Sequence, residues 1–85
     1  MDINQAVVAL EGLVTEFADE SGLRAREVKV RPSGDDAKAI KIWVDLGPGV
    51  DEETCARWGS ACRLSVGKLA GEAAGFTLEV RVESL

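Results

Sequence analysis

The sequence predicts an α+β domain of element order α-β-β-α-β, with two helices packed on one face of a three-stranded sheet. Two segments carry apolar residues at the three- and four-residue spacing of a helix face, and three short segments alternate apolar with polar residues as half-buried strands do. Each helix has one apolar stripe and each strand has one apolar face, so one shared core can bury all five elements. A chain of 85 residues has room for one such core, and residues 1–85 are expected to form a single domain.

The first helix is predicted over about residues 3 to 20. Asp2 is its expected N-cap and Gln5 is placed to complete a capping box. Gly22 is the expected C-terminal stop. The apolar stripe consists of Ile3, Val7, Leu10, Val14 and Phe17, and Val8 and Leu13 are expected to widen it.

A β-hairpin is predicted next, from the segments "EVKVRP" and "AKAIKIWVDL". Pro32 ends the first segment and "SGDD" supplies turn residues between the two. Side chains alternate between the faces of a strand. One face carries Val28, Val30, Ile40, Ile42, Val44 and Leu46, and the opposite, exposed face carries Lys29, Arg31, Lys41, Trp43 and Asp45.

The second helix is predicted over about residues 52 to 72, and a last strand follows in "FTLEVRVES". Asp51 is the expected N-cap, and the carboxylates of Glu52 and Glu53 suit the first turn without any metal. The last strand can lie beside either strand of the hairpin, and the sequence does not decide between them. The helical stripe is Cys55, Trp58, Cys62, Val66, Leu69 and Ala73; the strand is expected to turn Phe76, Leu78, Val80 and Val82 inward and Thr77, Glu79, Arg81 and Glu83 outward.

The composition narrows the class of function. A net charge of -5 argues against a general nucleic-acid binder, since such proteins need a basic surface to release phosphate counterions. It favours a basic protein partner, or a nucleic-acid contact limited to a local patch. No apolar run approaches the roughly 18–20 residues of a membrane span. We therefore expect a cytoplasmic protein that does not associate with a membrane.

Catalysis and metal binding are not expected. Cys55 and Cys62 lie about 10.5 Å apart along a helix, too far for a disulfide, which needs Cα atoms within about 7 Å. The chain has no histidine, so two cysteines fall short of a zinc site and lack the usual partner of a cysteine nucleophile. We expect two buried, reduced cysteines, no catalytic residue, no metal and no cofactor.

Trp43 has two interpretations on the exposed face of the sheet. An outward tryptophan among lysines and arginines suits a protein-binding hot spot or a platform for one stacked base. Alternatively, its ring covers the aliphatic stems of those cations and contributes only cross-strand packing.

The segment "IKIWVDLGPGVDEETCAR", followed by "FTLEV", resembles the N-terminal domain of the ribosome maturation factor RimP family. Ile42 to Asp45 match the family's strand, with Trp43 at or next to its aromatic position. Gly49 and Val50 match the turn, while Asp51 replaces the capping threonine. The run from Cys55 to Arg57 keeps C-A-R, and the run from Leu78 to Val80 keeps L-E-V.

The resemblance implies a non-catalytic, ribosome-associated domain that assists small ribosomal subunit maturation by binding a basic ribosomal protein or the nascent particle. The sequence stops at "RVESL", before the family's second, barrel-like domain would begin, so we expect either an excised domain or a stand-alone relative, and Met1 next to a capping residue favours the latter. The expected binding surface is the sheet face with the Gly47 to Arg57 turn and helix start. Its residues are Lys29, Arg31, Lys41, Trp43, Arg57 and Arg81.

An alternative function is an interaction or oligomerisation module unrelated to the ribosome. Such a module would pair through an exposed edge strand or through Trp43, and a homo-oligomer is compatible with it.

Overall fold

The computed structural model describes residues 2–34, 37–68 and 75–85 and confirms the predicted fold class and element order. The second helix is predicted to end near residue 72; its α-helical part spans Glu52–Val66, and residues 67 and 68 continue it with π-helical geometry. Positions 69–72, and with them the stripe residues Leu69 and Ala73, lie outside the described residues. The elements are α1 (Ile3–Ser21), β1 (Glu27–Pro32), β2 (Ala39–Asp45), α2 (Glu52–Val66) and β3 (Thr77–Glu83).

The two ends of α1 form as predicted. The Asp2 carboxylate accepts from the Gln5 amide at 2.8 Å, and the Gln5 side chain accepts from the Asp2 amide at 3.1 Å. This capping box satisfies two backbone donors that the first turn cannot pair internally. Gly22 ends the helix with φ at 80°, a left-handed conformation that glycine adopts without a steric penalty.

The buried face of α1 is rotated from the predicted stripe. Val8 is 72% exposed, so the expectation that it widens the apolar side was wrong. The fully buried row includes two alanines, whose small side chains allow the helix backbone to lie close to the sheet. The row is Ala6, Leu10, Val14 and Ala18, while Ile3, Val7, Leu13 and Phe17 are only partly buried beside it.

The central strand of the sheet is β2. It pairs antiparallel with β1 and parallel with β3, in the order β1-β2-β3. This order settles the choice that the sequence left open and makes β1 and β3 the two edge strands. Ile40, Ile42 and Val44 of the central strand are at most 1% exposed and form the middle of the core.

Both helices pack over this apolar side of the sheet, α1 mainly on β1 and α2 mainly on β3. Trp58 of α2 joins the two helices. Its ring meets Phe17 edge-on, with the ring centroids 5.1 Å apart, and its Nε1 donates to Ser21 Oγ at 3.0 Å. The opposite side of the sheet has no described element packed on it.

Cys55 and Cys62 are free and buried, as the helical stripe predicted. Burial raises the pKa of the Cys62 thiol to about 11, because a thiolate loses its hydration in the core. Among the described helices, none combines the length and the apolar character needed to cross a membrane.

Candidate functional site

The strand register assembles most of the predicted binding residues on the uncovered side of the sheet. Lys29 and Arg81 flank Trp43 in one cross-strand row, and Arg31, Lys41 and Glu79 form the next row. We call these six residues the open sheet face. It contains five of the six residues predicted from the sequence, all except Arg57.

Trp43 is held in place by polar contacts at its edge. It is half-buried, and its Nε1 donates to Glu83 Oε2 at 2.9 Å. The other oxygen of that carboxylate lies 3.0 Å from Arg81 Nε. Lys29 Nζ lies 5.2 Å from the centroid of the ring, a cation–π distance. These contacts fit the cross-strand packing interpretation, and the register places the ring between two cations.

Arg31 and Lys41 stand directly opposite each other on β1 and β2, and both are exposed. Like charges in directly opposed positions are unfavourable in an antiparallel pair. Within the part of the chain that the structure describes, neither cation has a carboxylate within salt-bridge distance. The pair places two positive charges beside the Trp43 row, and the single carboxylate of Glu79, in register with Lys41 on β3, offsets them only in part.

Arg57 does not belong to this surface. It lies on the exposed side of α2 and forms an ion pair with Glu53, one helical turn earlier. Because α2 packs on the apolar side of the sheet, Arg57 and Trp43 face opposite sides of the molecule. Arg57 entered the predicted surface through the C-A-R match and the helix start after the Gly47 turn, but the structure puts this part of α2 in the helix layer.

Asp45 was expected to be exposed with Trp43, and this expectation was wrong: the residue is 1% exposed. Its Oδ1 accepts from the Gly47 amide at 2.8 Å and from the Leu85 amide at 3.1 Å, and Arg26 Nε lies 3.5 Å from Oδ2. The Gly47 hydrogen bond lowers the pKa of the carboxyl most, with further lowering from Leu85 and Arg26, against the opposing effect of burial.

Ser84 completes this connection between the end of β3 and the turn after β2. Its hydroxyl donates to the carbonyl of Gly47 and accepts from the Val50 amide at 3.0 Å. Asp45 and Ser84 together tie the segment after β3 to the turn before α2. Their role is structural, and it could not be read from local alternation because their partners lie far away in the chain.

A groove runs between α2 and the outer edge of β3, and the sequence analysis did not predict it. Its volume is about 550 Å³. We call it the edge groove and define it by Cys55, Ala56, Gly59, Ser60, Val80 and Val82. Both valines were expected to be buried, but they are only half-buried because β3 is an edge strand among the described residues. Such half-burial depends on strand order, so no local sequence signal reveals it.

The exposed side of α1 is acidic. Four carboxylates lie there, and the helix contains no lysine or arginine. Three of them are near the C-terminal end, where the helix dipole disfavours negative charge. The residues are Glu11, Glu16, Asp19 and Glu20.

The described residues contain no group of three or more histidine, cysteine, aspartate or glutamate side chains that could hold a metal ion.

Comparisons of the chain with protein-family models, with curated proteins and with solved structures return no match. The open sheet face therefore offers an aromatic ring, four cations and the carboxylate of Glu79, with the carboxylates of Glu27 and Glu83 beside it. Such a set suits binding through stacking and charge.

Proposed function

We propose that the chain is a non-catalytic, cytoplasmic binding domain that assists maturation of the small ribosomal subunit by holding a ribosomal protein or the nascent particle. The cross-strand row of Lys29, Trp43 and Arg81 carries the proposal, because it presents one hydrogen-bonded aromatic ring between two cations. Aromatic and arginine side chains of this kind dominate binding energy at interfaces. The resemblance to the RimP N-terminal domain supplies the ribosomal context.

The opposed cations Arg31 and Lys41 support a binding role for the same face. Two like charges in register reduce the stability of the isolated hairpin. A partner that brings negative charge to the face would relieve this repulsion, and the electrostatic gain would appear only in the complex.

The acidic side of α1 supports a partner that contains basic protein. It lies on the helix layer, away from the open sheet face, so the domain presents opposite charges on its two sides. A ribosomal particle contains both phosphate and basic proteins, and this charge distribution suits it better than a partner of one sign.

Sedimentation of the tagged chain from a gentle lysate, at low and at raised salt, tests the proposal. The wild-type chain is expected to travel with small-subunit particles at low salt and to be released by salt, because exposed charge contacts are screened. A chain that stays at the top of the gradient at both salt concentrations would contradict the ribosomal assignment.

Matched charge reversals identify the surface. Arg31→Glu is expected to weaken particle association, whereas Arg57→Glu, a reversal of the same size on the opposite side of the molecule, is expected to leave it unchanged. Arg31→Glu also creates a favourable cross-strand pair with Lys41. It should therefore not destabilise the fold, and a loss of association could not be attributed to unfolding.

The second candidate function is an interaction module that has no ribosomal partner. The edge groove beside β3 favours it, since an unpaired strand edge next to apolar surface is a site for added strands. The two functions differ in salt response: contacts centred on apolar surface and backbone hydrogen bonds weaken little with salt, and contacts of exposed charges weaken strongly.

A further inference from the structure

The outer edge of β3 is unprotected, in contrast to the edge at β1. β1 ends with Pro32 and carries Lys29, both of which discourage the addition of another strand. β3 runs over seven residues, Thr77 to Glu83, with neither proline nor lysine. Its side chains on the helix layer, Val80 and Val82, are half-buried and border the edge groove.

Backbone hydrogen bonds show which groups of β3 point away from the sheet. The Thr77 amide donates to the Lys38 carbonyl, and the Glu83 carbonyl accepts from the Leu46 amide. Odd-numbered residues of β3 therefore direct their backbone groups toward β2. The backbone groups of Leu78, Val80 and Val82 must then point outward, because alternate residues of a strand face opposite neighbours.

One end of this outward row is already occupied. Arg63 Nε of α2 lies 3.4 Å from the Leu78 carbonyl, which confirms the outward direction of the even-numbered residues. For the backbone groups of Val80 and Val82, the described residues provide no partner. Unpaired polar groups beside apolar side chains form the template on which another strand adds.

The charged side chains of β3 are complementary to those of β3 in a second copy of the chain. If two copies run antiparallel with Val80 opposite Val80 of the second copy, Glu79 of each copy faces Arg81 of the other, twice by symmetry. On the helix side the same register places Leu78 opposite Val82, so apolar side chains meet apolar side chains. Opposite charges in directly opposed positions stabilise antiparallel pairs.

We propose that the chain forms a symmetric homodimer through β3, antiparallel and centred on Val80, which joins the two sheets into one. The two-fold symmetry makes the interface isologous, so each charge pair occurs twice. The outward backbone groups of Val80 exchange both hydrogen bonds with their symmetry equivalents. In the dimer, the side chain of Arg63 turns away from Leu78, so that the Leu78 carbonyl can accept a hydrogen bond from the second copy. This inference goes beyond the proposed function and involves no ribosomal component.

Sedimentation equilibrium of the purified chain over a concentration series is the first measurement. We expect a concentration-dependent monomer–dimer equilibrium. Val80→Pro removes an outward N–H that has no partner among the described residues, and proline is tolerated at such edge positions. This variant is expected to be monomeric, whereas Val80→Ala, which keeps the N–H, is expected to dimerise. Circular dichroism on both variants verifies that the fold persists.

Charge reversal tests the register and does not depend on the proline variant. Glu79→Arg and Arg81→Glu each place like charges opposite each other twice and are expected to weaken dimerisation about tenfold or more. Mixing the two variants restores both attractive pairs, and a heterodimer is expected in the mixture. The double variant E79R/R81E is likewise expected to dimerise as the wild type does.

Two results would overturn the inference. One is a wild-type chain that remains monomeric up to about 1 mM, the upper range of weak specific affinities; an extended segment of another protein would then be the better occupant of the edge. The other is a dimer that survives Val80→Pro or is unaffected by Glu79→Arg, since either would place the interface or its register elsewhere.

Discussion

The hydrogen bond between Trp58 and Ser21 should contribute measurably to stability, because it joins the two helices through a buried indole N–H. Trp58 is 5% exposed, and its Nε1 donates to Ser21 Oγ at 3.0 Å. The same hydroxyl donates to the Ala18 carbonyl at 2.8 Å and accepts from the Leu23 amide at 3.3 Å. Ser21→Ala removes the acceptor and leaves the indole N–H unpaired.

The magnitude follows from the burial of the bond. A buried donor that loses its partner costs about 1–3 kcal/mol. Ser21 itself is exposed, so water can reach its position and partly replace the hydroxyl. The lower part of the range applies, and we expect Ser21→Ala to cost about 1–1.5 kcal/mol. For a domain of this size, each 1 kcal/mol lowers Tm by roughly 4–8 °C.

A double-mutant cycle isolates the bond. Trp58→Phe removes the indole N–H, so Ser21→Ala should cost about 0.5–1 kcal/mol less in that background than in the wild type. Urea unfolding followed by circular dichroism measures all four proteins in the same way, since two of them lack the buried tryptophan. Additive effects within about 0.3 kcal/mol would refute the bond as a source of stability.

Thr15→Ala is the matched control for this cycle. Its hydroxyl donates to the Glu11 carbonyl within α1 and touches no other element. Replacing it with alanine should change stability by no more than about 0.5 kcal/mol. A cost equal to that of Ser21→Ala would show that the effect arises in the isolated helix.

Three further predictions concern the core, the helix packing and pH. Leu10→Ala should lower the free energy of unfolding in urea by about 2–5 kcal/mol, because Leu10 is buried. Val8→Ala should lower it by less than about 0.5 kcal/mol, because Val8 is exposed. Similar losses for the two variants would contradict the observed buried face of α1. A Cβ at Gly59 would lie 3.1 Å from Val82 Cγ2, so Gly59→Val should lower the free energy of unfolding by about 1–3 kcal/mol. In a chain that also carries Val82→Ala, the same substitution should be less destabilising, because the contacting methyl group is gone. The lowered pKa of the Asp45 carboxyl stabilises the fold at pH values above 3.8, the pKa of this group in the unfolded chain, and this stabilisation is lost as the pH falls through the folded pKa. Asp45→Asn should therefore be less stable than wild type at pH 7, by a margin that shrinks below about pH 4. A difference in stability that stays constant with pH would contradict this prediction.

The fold was predictable from the sequence because its signals are local. The helix caps, the helical spacing and the alternation in the strands each depend on residues within a few positions. The buried face of α1 was predicted less well, since packing selected the alanines Ala6 and Ala18 for close approach over the larger Val8, which hydrophobicity alone favours.

The binding surface was predictable only in part, because it depends on how distant segments meet. Alternation placed Lys29, Trp43 and Arg81 on one face correctly, since each strand keeps its own period of two. It could not show that Asp45 is covered by the Leu85 amide, forty positions later in the chain. The edge groove requires the strand order, which the crossover through α2 determines.

The two proposed surfaces share Arg81, and this determines which substitutions can separate them. Arg81 flanks Trp43 on the open sheet face and also faces Glu79 of the second copy in the proposed dimer. Its charge reversal would weaken both kinds of binding and distinguish neither. Arg31 lies on the far edge strand from β3, so Arg31→Glu affects only the sheet face. Val80→Pro acts only on the strand edge, since its side chain and backbone do not reach the open sheet face. A loss of particle association in Val80→Pro but not in Arg31→Glu would mean that the dimer, rather than the Trp43 row, is the form that binds.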